Sequence, residues 1–201
     1  MGDRAVISNG NKNLGVYLHW YGYRSFVESV LAYCDLKGYR SPDVDEEYGW
    51  ARLCQVIGNT LGGILSLGIG NYNYMDTDNW DNGTYIIQGW NIKDRLYQHY
   101  NDDKLKDTMF ENLEYVNSKQ PKEEQLDKDV IKDYAEKWEE QHLDRLSDDR
   151  KEIVEKRILE KAKEDKKEQN STEVKEEIIP YEVLEKSGTV YKLKGGGEHD
   201  R

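Results

Sequence analysis

Cysteine is scarce in this chain. Among its 201 residues, Cys34 and Cys54 are the only two cysteines. Small secreted proteins that depend on disulfides carry a larger, even set of cysteines, so the sequence excludes a disulfide framework. Two free thiols are typical of a reducing compartment, and we therefore predict a cytoplasmic protein.

Long apolar segments are also missing. A membrane-spanning helix needs about 20 mostly apolar residues in a row, and the chain contains no such run. The N-terminus lacks the basic, apolar and small-residue regions of a signal peptide. The sequence therefore predicts a soluble intracellular protein without a membrane partner.

Positive charge is in deficit. The chain carries 29 Lys and Arg residues against 40 Asp and Glu residues, a formal net charge of −11. Direct binding to nucleic acid requires a basic face because the phosphate backbone is anionic, so this balance argues against it. An acidic surface favours solubility, and it also fits a basic protein partner or the imitation of nucleic-acid charge.

Aromatic residues are few in the second half of the chain. Sixteen of the 22 aromatic residues lie in residues 1–100, which hold 8 Lys/Arg and 11 Asp/Glu, a net −3. Residues 101–201 hold 21 and 29, a net −8. We therefore predict an α+β globular domain at 1–100, a charged helical extension at 101–167, and a largely flexible tail at 168–201.

The longest stretch with few charges is Tyr48 to Ile69. Its apolar residues first recur at helical spacing and then form a short strand-like run at 64–69. A capping box at Ser25 and Glu28 predicts the start of an earlier helix, which Gly38 ends. Strand-like runs lie at 4–8, 14–20 and 84–88. The order β-β-α-α-β-β predicts an α+β fold, a small antiparallel sheet with two helices on one face.

Helical spacing of apolar residues continues in the predicted extension. Residues 102–117 read as one amphipathic helix, and residues 124–167 read as two helices or as one long broken helix. A narrow apolar seam runs along residues 124–162. This seam supports an alternative function, an oligomeric structural or assembly protein that associates with itself.

Catalytic motifs are nearly absent. Cys54 and His19 are the one sensible nucleophile and base pair in residues 1–100, which makes a small cysteine hydrolase a second alternative. Cys54, however, lies within a predicted helix on its apolar side, where free cysteine is commonly a buried core residue. His19 lies on a strand between Leu18 and Trp20, where a structural histidine is expected. We therefore predict a protein that is not an enzyme.

Metal and cofactor motifs are missing as well. The loop from Asp76 to Gly83 is rich in carboxylate and amide groups, but Trp80 stands where a calcium loop needs an oxygen ligand, and the late Glu is absent. No zinc-ligand spacing occurs. The glycines between Gly58 and Gly70 lack the Lys-Ser/Thr of a phosphate-binding loop. We predict neither a metal nor a cofactor.

Two segments carry the candidate partner-binding residues. The first is the aromatic loop, which we define as residues 71–83, because aromatic residues are favoured anchors in interfaces. Its candidates are Tyr72, Tyr74, Asp76, Asp78, Trp80 and Asp81. The second is an acidic set in the predicted extension, with the candidates Glu139, Glu140, Asp144, Asp148 and Asp149.

Five segments carry a resemblance to a known group of proteins. They are GDRAVI (2–7), VYLHW (16–20), YGWARLCQVIGN (48–59), LSLGI (65–69) and DNGTYII (81–87). At these segments, residues 1–90 resemble a family of uncharacterised small proteins of phages and mobile elements of Gram-positive bacteria. The resemblance implies a genomic neighbourhood and a bacterial host, and it assigns no catalytic residues. The helical extension lies outside it.

The charge balance, the lack of a catalytic constellation and this resemblance together favour one function. We expect a non-enzymatic acidic binding protein, encoded by a phage or mobile element, that inhibits a nucleic-acid-binding defence factor of the host, in the manner of an anti-CRISPR protein. Its partner would be a basic protein surface, such as that of a host nuclease, which the acidic residues would engage by imitating nucleic acid.

Overall fold

The computed structural model describes residues 2–62, 66–99, 105 and 107–176, with side chains up to position 167. Within these residues, five strands form one sheet in the order β3-β2-β1-β4-β5. The strands are β1 (Ala5–Asn9), β2 (Leu14–Leu18), β3 (Leu67–Asn71), β4 (Thr84–Gln88) and β5 (Asn91–Leu96). The predicted α+β class is confirmed.

The sheet is mixed, which corrects the prediction of an antiparallel sheet. β1 and β4 pair in parallel, with Ile7 opposite Tyr85, while the other three pairs are antiparallel. A parallel pair needs a long crossover connection. Here the chain leaves β1, forms β2, two helices and β3, and returns as β4 beside its starting strand. Sequence patterns within single strands do not reveal which strand lies beside which.

The central strands are buried on both faces, and different segments cover the two faces. Ile7, Val16 and Tyr85 share one face by register, and Tyr85 Oη donates to the carbonyl of Gly22, just before the first helix, over 3.0 Å. Met75 of the aromatic loop lies against the other face. A Cβ on Gly15 would stand 2.6 Å from Met75 Sδ and 3.1 Å from Val6 Cγ1, so a larger residue at this position would displace the Met75 side chain.

The first helix, α1 (Arg24–Leu36), begins two residues earlier than the predicted capping box implies. Tyr23 is its N-cap, and Ser25 lies inside the helix. Glu28 does not reach back to the backbone of Ser25, because Arg24 and Arg145 hold its carboxylate. The predicted stop is confirmed: Gly38 has a φ of 68° and follows the last turn.

The second helix, α2 (Glu46–Leu61), follows the prediction closely. The Asp45 side chain accepts a hydrogen bond from the Tyr48 amide at 3.2 Å, and Gly62 ends the helix at a φ of 64°. Its predicted apolar face is buried, with Trp50, Leu53, Ile57 and Leu61 in the core. β3 starts at Leu67, later than the predicted strand at 64–69, whose residues 64 and 65 lie outside the described part of the chain.

Three further helices follow: α3 (Met109–Ser118), α4 (Lys128–Gln141) and α5 (Asp148–Glu176). α3 packs against both α1 and α4. Gln120, just after α3, is buried and donates to the carbonyls of Val56 and Val116 and to the hydroxyl of Thr60. These buried hydrogen bonds join the predicted extension to α2.

The compact unit therefore does not end at residue 100, where we predicted the domain boundary. The described residues up to Lys156 form one compact unit, and those from Arg157 to Glu176 belong to a second. Part of the predicted apolar seam is buried inside the first unit, through Ile131, Trp138, Leu146 and Val154. The charge density predicted a solvated extension, but these apolar side chains pack within the chain. Other residues of the seam stay exposed: Val130 at 41%, Ile153 at 54% and Leu159 at 60%.

The second unit begins within α5, which continues to Glu176. Residues 168–176 are therefore helical, whereas the sequence predicted a flexible tail from position 168. The Glu and Lys residues of α5 recur at helical spacing, and ion pairs between them stabilise a helix in water that has no apolar face. The remainder of the predicted tail, residues 177–201, lies outside the described residues.

A buried ion pair connects the helical segment to α1. Both terminal nitrogens of Arg145 donate to Glu28, at 2.7 Å to Oε1 and 3.1 Å to Oε2. Arg24 Nε donates to Oε1 of the same carboxylate at 3.0 Å. The Arg145 side chain is 4% exposed and that of Glu28 is 11% exposed. Two-point geometry of this kind holds an arginine and a carboxylate in one orientation.

We predict that Arg145→Ala destabilises the folded protein by about 3 kcal/mol, because it leaves the Glu28 carboxylate buried with one of its two arginine partners removed. Urea unfolding followed by circular dichroism measures this loss. The matched control is Asp144→Ala, at the exposed neighbouring position, which should change the free energy of unfolding by no more than about 0.5 kcal/mol. Equal effects of the two substitutions would contradict a structural role for the ion pair.

Candidate partner-binding site

The aromatic loop folds around the buried side chain of Asn79. Asn79 Nδ2 donates to the carbonyls of Asp76 and Gly83, at 3.2 and 3.0 Å. Its Oδ1 accepts from the amides of Asp81 and Gly83, at 3.2 and 3.0 Å. One amide side chain thus satisfies four backbone groups of a tight turn. The turn places Asn79 and Trp80 at φ values of 43° and 55°.

Positive φ is costly for residues other than glycine, and it persists where surrounding contacts impose it. Asparagine tolerates this region better than other side chains because its short amide bonds to nearby backbone. Tryptophan has no such compensation at position 80. The hydrogen bonds of Asn79 and the burial of its neighbours therefore hold Trp80 in a conformation that its own preference disfavours.

An ion pair fixes the loop to the start of β1. Arg4 Nε donates to Asp81 Oδ2 at 2.6 Å, and the Arg4 amide donates to the same oxygen at 3.2 Å. Burial of Asp81 raises the pKa of its carboxyl, but the hydrogen bonds from Arg4 and its positive charge outweigh burial, so the pKa lies below its usual value. Asp81 is therefore ionised at neutral pH and belongs to the frame of the loop.

The fixed turn presents Trp80 to solvent. The Trp80 residue is 72% exposed, and its ring stacks on that of His99, with centroids 4.9 Å apart and planes 25° apart. His99 Nε2 in turn contacts the carboxylate of Asp78. Tyr74, on the same loop, is 90% exposed. The loop thus displays two large aromatic side chains from a backbone that is tied to the sheet.

The six candidates of the aromatic loop therefore divide into two groups. Tyr74 and Trp80 are exposed, and the side chains of Asp76 and Asp78 are 58% and 45% exposed. Tyr72 and Asp81 are buried, at 8% and 4% exposure. These two support the loop and offer a partner little surface, which corrects their prediction as contact residues.

The acidic set divides in the same way. Glu139 is 1% exposed, and both its oxygens accept from Arg150, at 3.1 and 2.9 Å. Its prediction as a contact residue is therefore corrected: it holds α4 to the first turn of α5. Glu140 is half-buried. The exposed members are Asp144, Asp148 and Asp149.

His99 is the residue of this site that the sequence did not reveal. It lies 19 positions beyond Trp80, after β5, and no local motif connects the two. Antiparallel pairing of β4 and β5 returns the chain to the loop, where the His99 amide donates to the carbonyl of Asp81 at 3.4 Å. Long-range pairing of this kind cannot be read from spacing.

The predicted alternative of a Cys54 and His19 hydrolase gains no support from the geometry. Burial raises the pKa of the Cys54 thiol, which lowers its thiolate fraction at neutral pH. His19 Nδ1 lies 3.3 Å from the hydroxyl of Tyr17, and its ring packs edge-on against Trp20. Both residues are accounted for by packing and hydrogen bonding, as the sequence suggested.

Neither a metal cluster nor a membrane span is found in the part of the chain that the structure describes. Within it, no group of three or more His, Cys, Asp or Glu side chains is arranged to hold a metal ion. Among the described helices, none combines the length and apolarity that crossing a membrane requires. Comparison with protein-family models, curated proteins and solved structures found no match. The resemblance of residues 1–90 to phage and mobile-element proteins therefore stays a prediction.

We predict that Asp81→Asn reduces stability at neutral pH and that the difference from the unchanged protein shrinks in acid. A carboxyl whose pKa is lowered by folding stabilises the folded state above its unfolded pKa of about 3.9, and this contribution is lost as the pH falls through the lower, folded pKa. Urea unfolding at neutral pH and at about pH 3 measures both differences.

Asp144→Asn, at an exposed position, is the matched control and should give a small difference at both pH values. A stability difference for Asp81→Asn that stays constant with pH would show that the ionised carboxylate is not what holds Arg4.

Proposed function

We propose that this chain is a non-enzymatic acidic binding protein that uses the aromatic loop to contact a basic protein surface. The observation that carries the proposal is the presentation of Trp80. Tryptophan is enriched among the few residues that supply most interface energy. A tryptophan that is 72% exposed, and is held there by a buried turn, is already ordered for binding.

Order in the free protein matters because association costs side-chain and loop entropy. The Asn79 hydrogen bonds and the Arg4–Asp81 ion pair already order the loop in the free protein. The loop therefore loses its conformational entropy during folding and not on binding. Stacking on His99 further restricts the Trp80 ring. The loop can therefore bind with little rearrangement, which favours a rigid contact over a loop that folds on its partner.

Charge indicates the chemistry of the partner. Asp76 and Asp78 flank Trp80 with part-exposed carboxylates, and the whole chain has a formal net charge of −11. A basic surface that normally binds nucleic acid is the complement of this pattern, and acidic residues around an aromatic anchor would speed its capture. An anti-defence inhibitor of a host nuclease is one instance of this class.

The alternative of an oligomeric assembly protein relies on the apolar seam, of which Trp138 and Leu146 are buried within the compact unit while Ile153 and Leu159 are 54% and 60% exposed. Those exposed residues have no aromatic anchor among them, so this alternative is less favoured. The cysteine hydrolase is less favoured because burial raises the pKa of Cys54. The binding role uses an exposed surface that neither alternative requires.

Trp80→Ala tests the proposal. Basic proteins of a bacterial lysate are first enriched on heparin, and the partner is then sought by capture on the immobilised protein. Once captured, its affinity for the variants is measured. We expect Trp80→Ala to weaken binding by about 30-fold, the effect of removing a hot-spot residue worth about 2 kcal/mol.

Trp20→Ala is the matched control, since Trp20 is also exposed, at 41%, and lies outside the aromatic loop. It should bind normally. Binding should weaken with salt and be displaced by duplex DNA, as expected for a basic groove. Full binding by Trp80→Ala, or binding that DNA does not displace, would contradict the proposal.

A further inference from the structure

The sheet has two edge strands, and they differ in charge. β5 carries Lys93, Asp94 and Arg95, and the first two are exposed. Charged side chains on an edge strand oppose pairing with a further strand, because pairing would remove them from water. β3, at the other edge, has the sequence LGIGN, without a charged side chain. It lies within residues 53–75, which contain no charged residue although 34% of the chain is charged.

The backbone hydrogen bonds between β2 and β3 alternate along the strand. The His19 amide donates to the carbonyl of Ser66 at 2.8 Å, and the Tyr72 amide donates to the carbonyl of Asn13 at 3.2 Å. These bonds lie at the two ends of the pairing, and the register between them is regular. Since antiparallel strands bond at every second residue, the even-numbered residues of β3 bond to β2.

The odd-numbered residues of β3 therefore direct their backbone amides and carbonyls to the outer side of the sheet. They are Leu67, Ile69 and Asn71. Within the described part of the chain, no backbone group bonds to them on that side. Ile69 is 56% exposed, and Asn71 is exposed as well. An open and uncharged edge of this kind can accept one more strand.

The spacing of these outward groups fits a second copy of the same strand. With a two-fold axis at Ile69, Ile69 lies opposite its own copy, and Leu67 lies opposite Asn71. All of these positions face outward on both strands, so each amide meets a carbonyl. The two Ile69 side chains lie next to each other on one face and cover apolar surface that a single copy exposes. On the other face, Gly68 lies opposite Gly70, so no side chains collide.

Charge also favours a second copy over other strands. Pairing of β3 with β5 of another copy would bury Lys93 and Asp94 against uncharged groups, and it would continue as an open filament. Pairing of β3 with β3 brings no charged strand residues together and closes as a dimer. A basic partner finds no complementary charge on this strand. The aromatic loop, with its carboxylates, offers such a partner more.

We propose that this chain forms a symmetric dimer by antiparallel pairing of β3 with β3 of a second copy. The pairing joins two five-stranded sheets into one. Five residues a side are few beside the roughly 1,200 Å² or more of total surface that stable interfaces bury, so the dimer is weak and depends on concentration. The surface does not include Trp80, and the proposal does not rest on the proposed function.

Sedimentation of the full chain over a wide range of concentrations tests the proposal. We expect monomers in dilute solution and dimers, without larger species, in concentrated solution. Added salt should strengthen the dimer, because it screens the repulsion between two chains of net charge −11. Salt should weaken the binding of a basic partner, so failure of one proposal is distinguishable from failure of the other.

Matched lysine substitutions locate the contact. Ile69→Lys places two like charges opposite each other at the two-fold axis, and it should raise the dissociation constant of the dimer about tenfold or more. Ile153→Lys makes the same change on α5, at a position that is 54% exposed, and should leave the dimer intact. Circular dichroism checks that both variants are folded. Equal effects of the two substitutions would overturn the proposal.

Amide hydrogen exchange gives a second, independent measurement on the unchanged protein. The amides of Leu67, Ile69 and Asn71 should exchange quickly in dilute solution and become protected as the dimer forms. Those of Gly68 and Gly70, which bond to β2, should be protected at every concentration. A monomer at all concentrations, species larger than a dimer, or protection that does not alternate along β3 would also overturn the proposal.

Discussion

The ion pair between Glu28 and Arg145 is the constraint on which the arrangement of the first unit depends. It joins residues 117 positions apart and brings the segment after α4 against α1. Charges of this kind are costly to bury unless each finds a partner. Arg24 and Arg145 together meet that requirement for Glu28, so the helical segment can pack against α1 with this carboxylate buried.

A second constraint acts at the aromatic loop. Asn79 and Asp81 are buried polar residues, and the structure satisfies them through backbone groups and Arg4. A buried polar network fixes one conformation, because any alternative conformation would leave a buried polar group without its partner, at a cost in free energy. The hydrogen bonds of Asn79 and Asp81 therefore keep Trp80 exposed at a positive φ. Met75 of the same loop covers the second face of the sheet. The loop therefore both stabilises the fold and exposes Trp80 to solvent.

The carboxylates of the first unit fall into two environments. Glu28 and Glu139 are paired with arginines inside the protein, whereas Asp76 and Asp78 remain part-exposed on the aromatic loop. The exposed carboxylates flank Trp80, and the proposed basic partner rests on this pattern.

The sequence by itself determined the local elements. Helical spacing marked α1 and α2, glycines marked their ends, and strand-like runs marked β1, β2 and β4, because these depend on neighbours a few residues apart. Tertiary structure alone decided the parallel pairing of β1 with β4, the docking of the helical segment, and the interior positions of Asp81 and Glu139. A charged residue considered alone in the sequence is predicted to be exposed to solvent. Whether a carboxylate is exposed or buried depends on whether a distant arginine, such as Arg4 or Arg150, reaches it in the folded chain.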